Sequence, residues 1–200
     1  AAPGPFRTTG RLGPPGSLDD VTTSPFLDLV ADRVVVYDGA TGTWLQTQDL
    51  SLDDYGGEAM EGCTDILGVT RPDVIAALHS AYFEVGADVV ETNTFGAFGV
   101  PLGEYDIAER SHEIALANAR IAREVADGFS TPDRKRYVAG SLGPGTKSPS
   151  LSQIRFAELR DHYQVAAEGL LEGGVDLFIL ETHFDLLAVK ASIIGVRRAM

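Results

Sequence analysis

Four short polar segments each follow an apolar run and carry residue types that can bind a small charged molecule. They are residues 38–43 (DGATGT), 91–96 (ETNTFG), 140–144 (GSLGP) and 181–185 (ETHFD). Asp38, Glu91 and Glu181 offer carboxylate acceptors to an ammonium group, and the glycines let backbone N–H groups approach a ligand carboxylate. This combination favours a site for a small zwitterion. An alternative interpretation, that the same residues cap turns, stays open at this point.

Other residues that often carry chemistry give weaker signals. Residues 38–43 lack the lysine of a P-loop and the third glycine of a dinucleotide fingerprint, so neither nucleotide-binding motif is supported. The four histidines show no metal-ligand spacing, and His183, although it follows Glu181 closely, is assigned no role. Cys63 is the single cysteine, which excludes an internal disulfide and a multi-cysteine metal site made by this chain alone. A lone thiol is more typical of structure than of catalysis.

The elements that must position these segments alternate between strands and helices. Strands are predicted over residues 33–37, 88–92, 137–141 and 175–180. Helices are predicted from a Thr70 cap to Gly86 with Val85 on the apolar face, over residues 108–127, from Phe156 to Gly173, and from Leu186 onward. Residues 48–68 are too long for a minimal connection and predict a functional insertion. This order predicts an α/β fold, either doubly wound or a (β/α)₈ barrel, and both bind ligands at the carboxyl ends of strands.

An internal repeat sets the size of the unit. Residues 84–92 and 172–182 share the order helix end, Gly, Asp, apolar strand and Glu-Thr. One βα unit lies between them, which gives roughly 44 residues per unit. Eight units need about 350 residues, so residues 33–200 would supply about four. Residues 1–32, rich in Pro and Gly, are predicted to be a flexible leader or linker.

Charge and hydropathy exclude two classes of partner. With 16 Lys and Arg against 29 Asp and Glu, the formal net charge is -13, which opposes a surface that follows nucleic-acid phosphates. The apolar runs are far shorter than the roughly 18 residues of a membrane span, and residues 1–20 lack the features of a signal peptide. We therefore expect no nucleic acid or membrane partner and a cytoplasmic location.

Together the motifs resemble the homocysteine S-methyltransferase family, and within it the homocysteine-binding domain of cobalamin-dependent methionine synthases. The resemblance spans roughly residues 33–200 and rests on residues 35–43, 62–67 with 70–75, 81–96, 140–147 and 180–182. It implies a (β/α)₈ TIM barrel of which this chain holds about the first four units, as the N-terminal half of the domain. The long loop between the first two motifs favours methionine synthases over relatives that use betaine or S-methylmethionine.

The resemblance also implies site residues and cofactors. Asp38, Gly39 and Glu181 would bind the polar end of homocysteine, and Asn93 and Thr94 match another motif at the same edge. Zinc, held by three cysteines from later strands, would bind the homocysteine sulfur as a thiolate, and we expect those cysteines beyond Met200. Methylcobalamin on a separate module would donate the methyl group and would be recharged from methyltetrahydrofolate on another module. A chain of this length alone is expected to be inactive.

Two further hypotheses come from other classes of protein. An aldolase or lyase could use Glu91 and Glu181 for acid–base chemistry on a small carbonyl compound, and it would need no zinc. A non-catalytic half-barrel could instead pair through its exposed sheet edges, and sedimentation would then show a compact dimer.

Overall fold

The computed structural model describes residues 24–200, and the boundary between two compact units falls after Arg33. The first unit contains helix α1 (Pro25–Asp32). This helix begins with Pro25 after Ser24, whose hydroxyl accepts a hydrogen bond from the Leu27 N–H. The end of the predicted leader is therefore helical, while residues 1–23 lie outside the described part of the chain. The predicted domain limits stay a prediction.

The second unit, Val34–Met200, alternates helices with short parallel strands. Short 3₁₀ turns cover Glu58–Met60, Thr64–Ile66, Gly103–Tyr105 and Ala108–Arg110. The helices and strands, in chain order, are α2 (Thr41–Leu45), α3 (Leu52–Tyr55), α4 (Leu67–Thr70), α5 (Pro72–Glu84), β1 (Val89–Glu91), α6 (Gly99–Leu102), α7 (Ser111–Phe129), β2 (Tyr137–Leu142), α8 (Phe156–Glu172), β3 (Leu177–Leu180) and α9 (Leu186–Ala199).

The sheet is parallel, and its strands are neighbours in chain order. The order is β1-β2-β3, with Val89 opposite Tyr137 and Ala139 opposite Leu177. Tyr37 adds a single parallel bridge to Val89 on the other side of β1. A doubly wound sheet reverses its strand order at a switch point, whereas the wall of a barrel does not. Of the two α/β arrangements, the observed order favours the barrel.

Consecutive helices pack against one another along this sheet. Helix α5 contacts α7, α7 contacts α8, and α8 contacts α9. Glycine makes two of these contacts close, because a Cβ at Gly169 would lie 2.6 Å from the His112 carbonyl oxygen and a Cβ at Gly195 would lie 2.6 Å from that of Arg160. Buried side chains of α8, including Leu159, Tyr163 and Leu170, form the largest part of the core between these helices and β2.

Four details differ from the sequence predictions. The strand predicted over residues 33–37 pairs only at Tyr37, and Val34 and Val36 are 83% and 51% exposed, because this edge segment has a neighbour on one side only. Arg71, not Thr70, precedes α5, since the Thr70 hydroxyl donates to the Ile66 carbonyl within α4. Val85 is exposed because α5 ends at Glu84. The helix predicted over residues 108–127 begins at Ser111 after a 3₁₀ turn and continues through Gly128.

Candidate substrate-binding site

A cavity of about 350 Å³ opens where the parallel strands end, and we call it the carboxyl-edge cavity. Sites in parallel α/β folds form at this edge because loops and side chains from several strands converge there. All four polar segments from the sequence reach it, two of them through a single residue each, Ser141 and Glu181. The lining residues are Gly39, Ala40, Thr41, Gly42, Thr64, Glu91, Thr92, Asn93, Thr94, Phe95, Ser141 and Glu181.

Asp38 lies beside the cavity and connects two neighbouring segments. Its N–H donates to the Val89 carbonyl at 3.0 Å, and its Oδ2 accepts from the Glu91 N–H at 2.9 Å. Burial raises the pKa of Asp38 to about 7, against the lowering effect of hydrogen bonds from the Glu91 and Asp38 N–H groups. The carboxylate of Asp38 is thus engaged with backbone, while Gly39 lines the cavity. A Cβ at Gly39 would lie 3.0 Å from the Tyr82 hydroxyl oxygen, which explains the small residue.

Glu181 enters the cavity from the end of β3. Its Oε1 accepts from the Ser141 hydroxyl at 2.5 Å, and its Oε2 accepts from the Thr182 hydroxyl at 3.3 Å. Thr182 has a φ of 59°, a left-handed conformation that a β-branched residue rarely adopts. Strain of this kind persists where the surrounding structure requires it, and it is frequent at binding sites. The carboxylate of Glu181 is therefore held by Ser141 of β2 and by Thr182, which follows β3.

Glu91 faces the same cavity from the end of β1. Burial is the largest of several causes that together raise its pKa to about 7; the others are the negative charges of Glu181 and Asp38 and a side-chain hydrogen bond with Glu181. The sequence pointed to Glu91 as one of three acidic residues at strand ends, but the predicted homocysteine contacts did not include it. The feature of the sequence that indicates Glu91 as a site residue is its position directly after the apolar residues of β1.

Buried hydroxyl groups hold β1 and β2 together at the floor of the cavity. The Thr94 hydroxyl donates to the Ser141 carbonyl at 2.7 Å, so the 2.5 Å contact between the Thr92 and Thr94 hydroxyl oxygens requires Thr92 to donate. The Ser141 N–H donates in turn to the Thr92 hydroxyl at 3.1 Å. Thr94 is fully buried, so its hydroxyl serves this network. Ser141 and Thr92 lie within two of the predicted polar segments, but neither is singled out by sequence, because their contacts join distant parts of the chain.

Asn93 and Asp65 connect the cavity to the long segment before α4. The Asn93 side-chain N–H donates to the Thr64 carbonyl at 2.8 Å, and Asp65 Oδ1 accepts from the Gly96 N–H at 2.9 Å. Burial raises the pKa of Asp65 to about 6. Of the predicted insertion, only Thr64 lines the cavity, and Cys63 and Ile66 are buried in a core cluster. The insertion thus supports the wall more than it contacts a ligand.

The remaining candidates from the sequence, His183 and Cys63, do not line the cavity. Both ring nitrogens of His183 are buried without a hydrogen-bond partner, and burial lowers its pKa. Cys63 is buried, and burial followed by the charge of Asp65 raises its thiol pKa to about 11. Between residues 24 and 200, no cluster of three or more His, Cys, Asp or Glu side chains could hold a metal ion, and no helix is long and apolar enough to cross a membrane.

The structure thus brings together Gly39, Asn93, Thr94 and Glu181, with Asp38 adjacent, and adds Glu91. None of the lining residues is Lys or Arg. The cavity therefore presents carboxylate acceptors with no cation to neutralise them, an arrangement suited to a ligand with an ammonium group. Contact between these residues and a substrate stays a prediction.

Comparisons with known proteins agree on one family. The family model described as homocysteine S-methyltransferase matches residues 35–199. The methionine synthases of Mycobacterium tuberculosis and Mycobacterium leprae are 54% and 52% identical over 174 residues, which is 87% of this chain and 14% of each relative. The chain thus spans about a seventh of the length of these curated relatives.

A solved structure supports the fold. The metallated form of the homocysteine methyltransferase MmuM from Escherichia coli superposes with a TM-score of 0.70 at 20% identity, covering 88% of this chain and 63% of that chain. The similarity in sequence and the match of the family model over most of the chain lead to one conclusion: this chain belongs to the homocysteine S-methyltransferase family.

Proposed function

We propose that residues 34–200 form the homocysteine-binding part of a methionine synthase, an enzyme that transfers a methyl group to homocysteine. The carboxyl-edge cavity supports this proposal, because Glu181 and Glu91 line it without a neighbouring cation. A homocysteine ammonium group has three N–H donors and a positive charge, which match these acceptors. Gly39 and the residues after it also line the cavity, where their backbone N–H groups would bind the substrate carboxylate.

In this proposal the chain binds and orients the amino-acid end of the substrate. Glu181, held by Ser141 and Thr182, would fix the ammonium group, and the substrate sulfur would point out of the cavity. Orientation of this kind lowers the entropic barrier to methyl transfer, because the sulfur is already positioned when the donor arrives. Asp38 would act mainly by holding the end of β1 in place.

The zinc ion implied by the family resemblance does not fit the side chains in the described part of this chain. No suitable cluster exists between residues 24 and 200, and the single cysteine, Cys63, is buried with a raised thiol pKa. We propose that zinc ligands come from residues of the full-length protein beyond Met200, and we assign no step of metal chemistry to this chain. Methylcobalamin and methyltetrahydrofolate would likewise bind to other modules. The cytoplasmic location remains part of the proposal.

Substitution of Glu181 tests the proposal by calorimetric titration of the full-length protein with L-homocysteine. Glu181→Gln removes a charged acceptor and should cost about 1–3 kcal/mol of binding free energy, or about 5- to 150-fold in Kd. Glu84→Gln is the matched control, because Glu84 is exposed at the end of α5. Unchanged affinity in Glu181→Gln would remove Glu181 from the site, and a wild-type protein that does not bind homocysteine would refute the proposed function.

A further inference from the structure

Glu91 and Glu181 meet in the carboxyl-edge cavity although they come from different strands. We propose that Glu91 is a second ammonium-binding residue and that, in the free protein, it shares with Glu181 a proton that leaves when the substrate binds. This inference rests on the proposed function, because the ligand is the amino-acid end of homocysteine.

A hydrogen bond between the two carboxyl groups needs a proton that one of them carries. Both side chains line the cavity, and they are within hydrogen-bonding reach of each other. Two ionised carboxylates have only acceptor oxygens, so a hydrogen bond between them exists only when one carries a proton. The negative charge of Glu181 and partial burial both disfavour ionisation of Glu91.

The neighbours indicate which group holds the proton. Glu181 accepts from the hydroxyls of Ser141 and Thr182, so each of its oxygens already serves as an acceptor. Glu91 faces the charges of Glu181 and Asp38, and burial with these charges raises its pKa to about 7. The proton therefore resides mainly on Glu91.

The remaining titratable groups around the pair do not supply a positive charge. Tyr37 faces Glu91 and Asp38, which raise its phenol pKa after the larger effect of burial, so it stays neutral. His183 lies near Glu181, and its pKa is lowered by burial, so its ring is neutral near pH 7. None of the residues that line the cavity is Lys or Arg. The substrate ammonium group would be the first cation to reach the pair.

Substrate binding then replaces the hydrogen bond between the two carboxyl groups with hydrogen bonds from the ammonium group. The O–H bond of Glu91 breaks, its proton passes to water and buffer, and both carboxylates accept N–H groups of the ammonium. Because a bound cation lowers the pKa of Glu91, proton release is largest below about pH 7 and fades above it. Affinity should therefore rise with pH up to about pH 7, by up to about tenfold per pH unit for each proton released.

Calorimetric titration of the full-length protein with L-methionine can measure this release. Methionine carries the same amino-acid end and has no thiol proton to contribute. Titrations in two buffers of different ionisation enthalpy, at about pH 6.5 and about pH 8, give the number of protons released per ligand. We expect clear release by the wild-type protein at the lower pH and little at the higher pH. Glu91→Gln should lose most of this release and bind more weakly at about pH 8, while the control Glu84→Gln should behave as wild type.

The outcomes separate this inference from the proposed function. Methionine binding with heats that do not depend on the buffer would overturn the shared proton and leave the proposed function intact. Equal proton release by wild type and Glu91→Gln would also overturn it. Because the wild-type measurement needs no variant, a Glu91→Gln protein that fails to fold does not prevent the test. If neither methionine nor homocysteine binds, the proposed function fails, and this inference with it.

Discussion

The hydrogen bond from Ser141 to Glu181 offers the sharpest test of how the fold prepares the site. Ser141 is 2% exposed, and its hydroxyl donates to Glu181 Oε1 at 2.5 Å. Its backbone is held independently, because the Ser141 N–H donates to the Thr92 hydroxyl and its carbonyl accepts from Thr94. Ser141→Ala should therefore remove one donor and leave β2 in place.

The size of the effect follows from the surroundings of Glu181. A hydrogen bond to a charged group contributes about 1.5–3 kcal/mol. Glu181 keeps the contact with Thr182 through its other oxygen, and the open cavity admits water to replace the lost donor. Because water can replace the lost donor, we expect a loss below this range, about 1 kcal/mol, which weakens homocysteine binding about fivefold.

A double-mutant cycle distinguishes this role from a general effect on the fold. Calorimetry would compare homocysteine binding by wild type, Ser141→Ala, Glu181→Gln and the double variant. If Ser141 acts by positioning Glu181, then Ser141→Ala costs little once Glu181→Gln is present, and the coupling energy is about 1 kcal/mol. A cost of the same size in both backgrounds would refute the reasoning, as would an unaffected single variant.

Two further predictions concern the scaffold. Gly169→Ala places a Cβ 2.6 Å from the His112 carbonyl oxygen, so urea unfolding should show that the free energy of unfolding falls by about 1–3 kcal/mol. Gly128→Ala is the control, because Gly128 has open space around it in α7, and this variant should be neutral or stabilising. Similar losses in both variants would contradict this account of the packing. Cys63 is buried with a raised thiol pKa, so peptide mapping after iodoacetamide treatment at about pH 8 should find it unmodified until denaturant is added. Rapid alkylation in native buffer would show that the loop opens.

The sequence was most informative where local pattern decides structure. Helices after Pro72 and after Phe156, and the polar residues at the ends of β1 and β3, are local features, and the structure has them in the expected order. The segment before Tyr37 is different, because its apolar residues predict a strand, whereas pairing depends on a neighbour that periodicity does not reveal.

Contacts within the site could be predicted only in part. The sequence pattern places Glu91 and Glu181 at the ends of two strands. Whether their side chains meet depends on the order of the strands in the sheet and on the side-chain directions set by register. The same holds for Ser141 and Glu181, which are 40 residues apart in the chain. Gly39 was predicted from family motifs, while its contact with Tyr82 became visible only once α5 was placed.

The carboxyl-edge cavity also shows how binding and stability oppose each other at the same residues. Asp38 and Glu91 have pKa values raised to about 7, so folding favours their protonated forms. The stability that they contribute is fully present below about pH 4 and is lost as the pH rises through about 7, because the folded state must then hold ionised carboxylates close together. A cationic ligand reverses this effect by favouring the ionised forms. Packing of α5, α7, α8 and α9 must therefore stabilise a cluster of like charges, and the same repulsion favours an ammonium-bearing substrate.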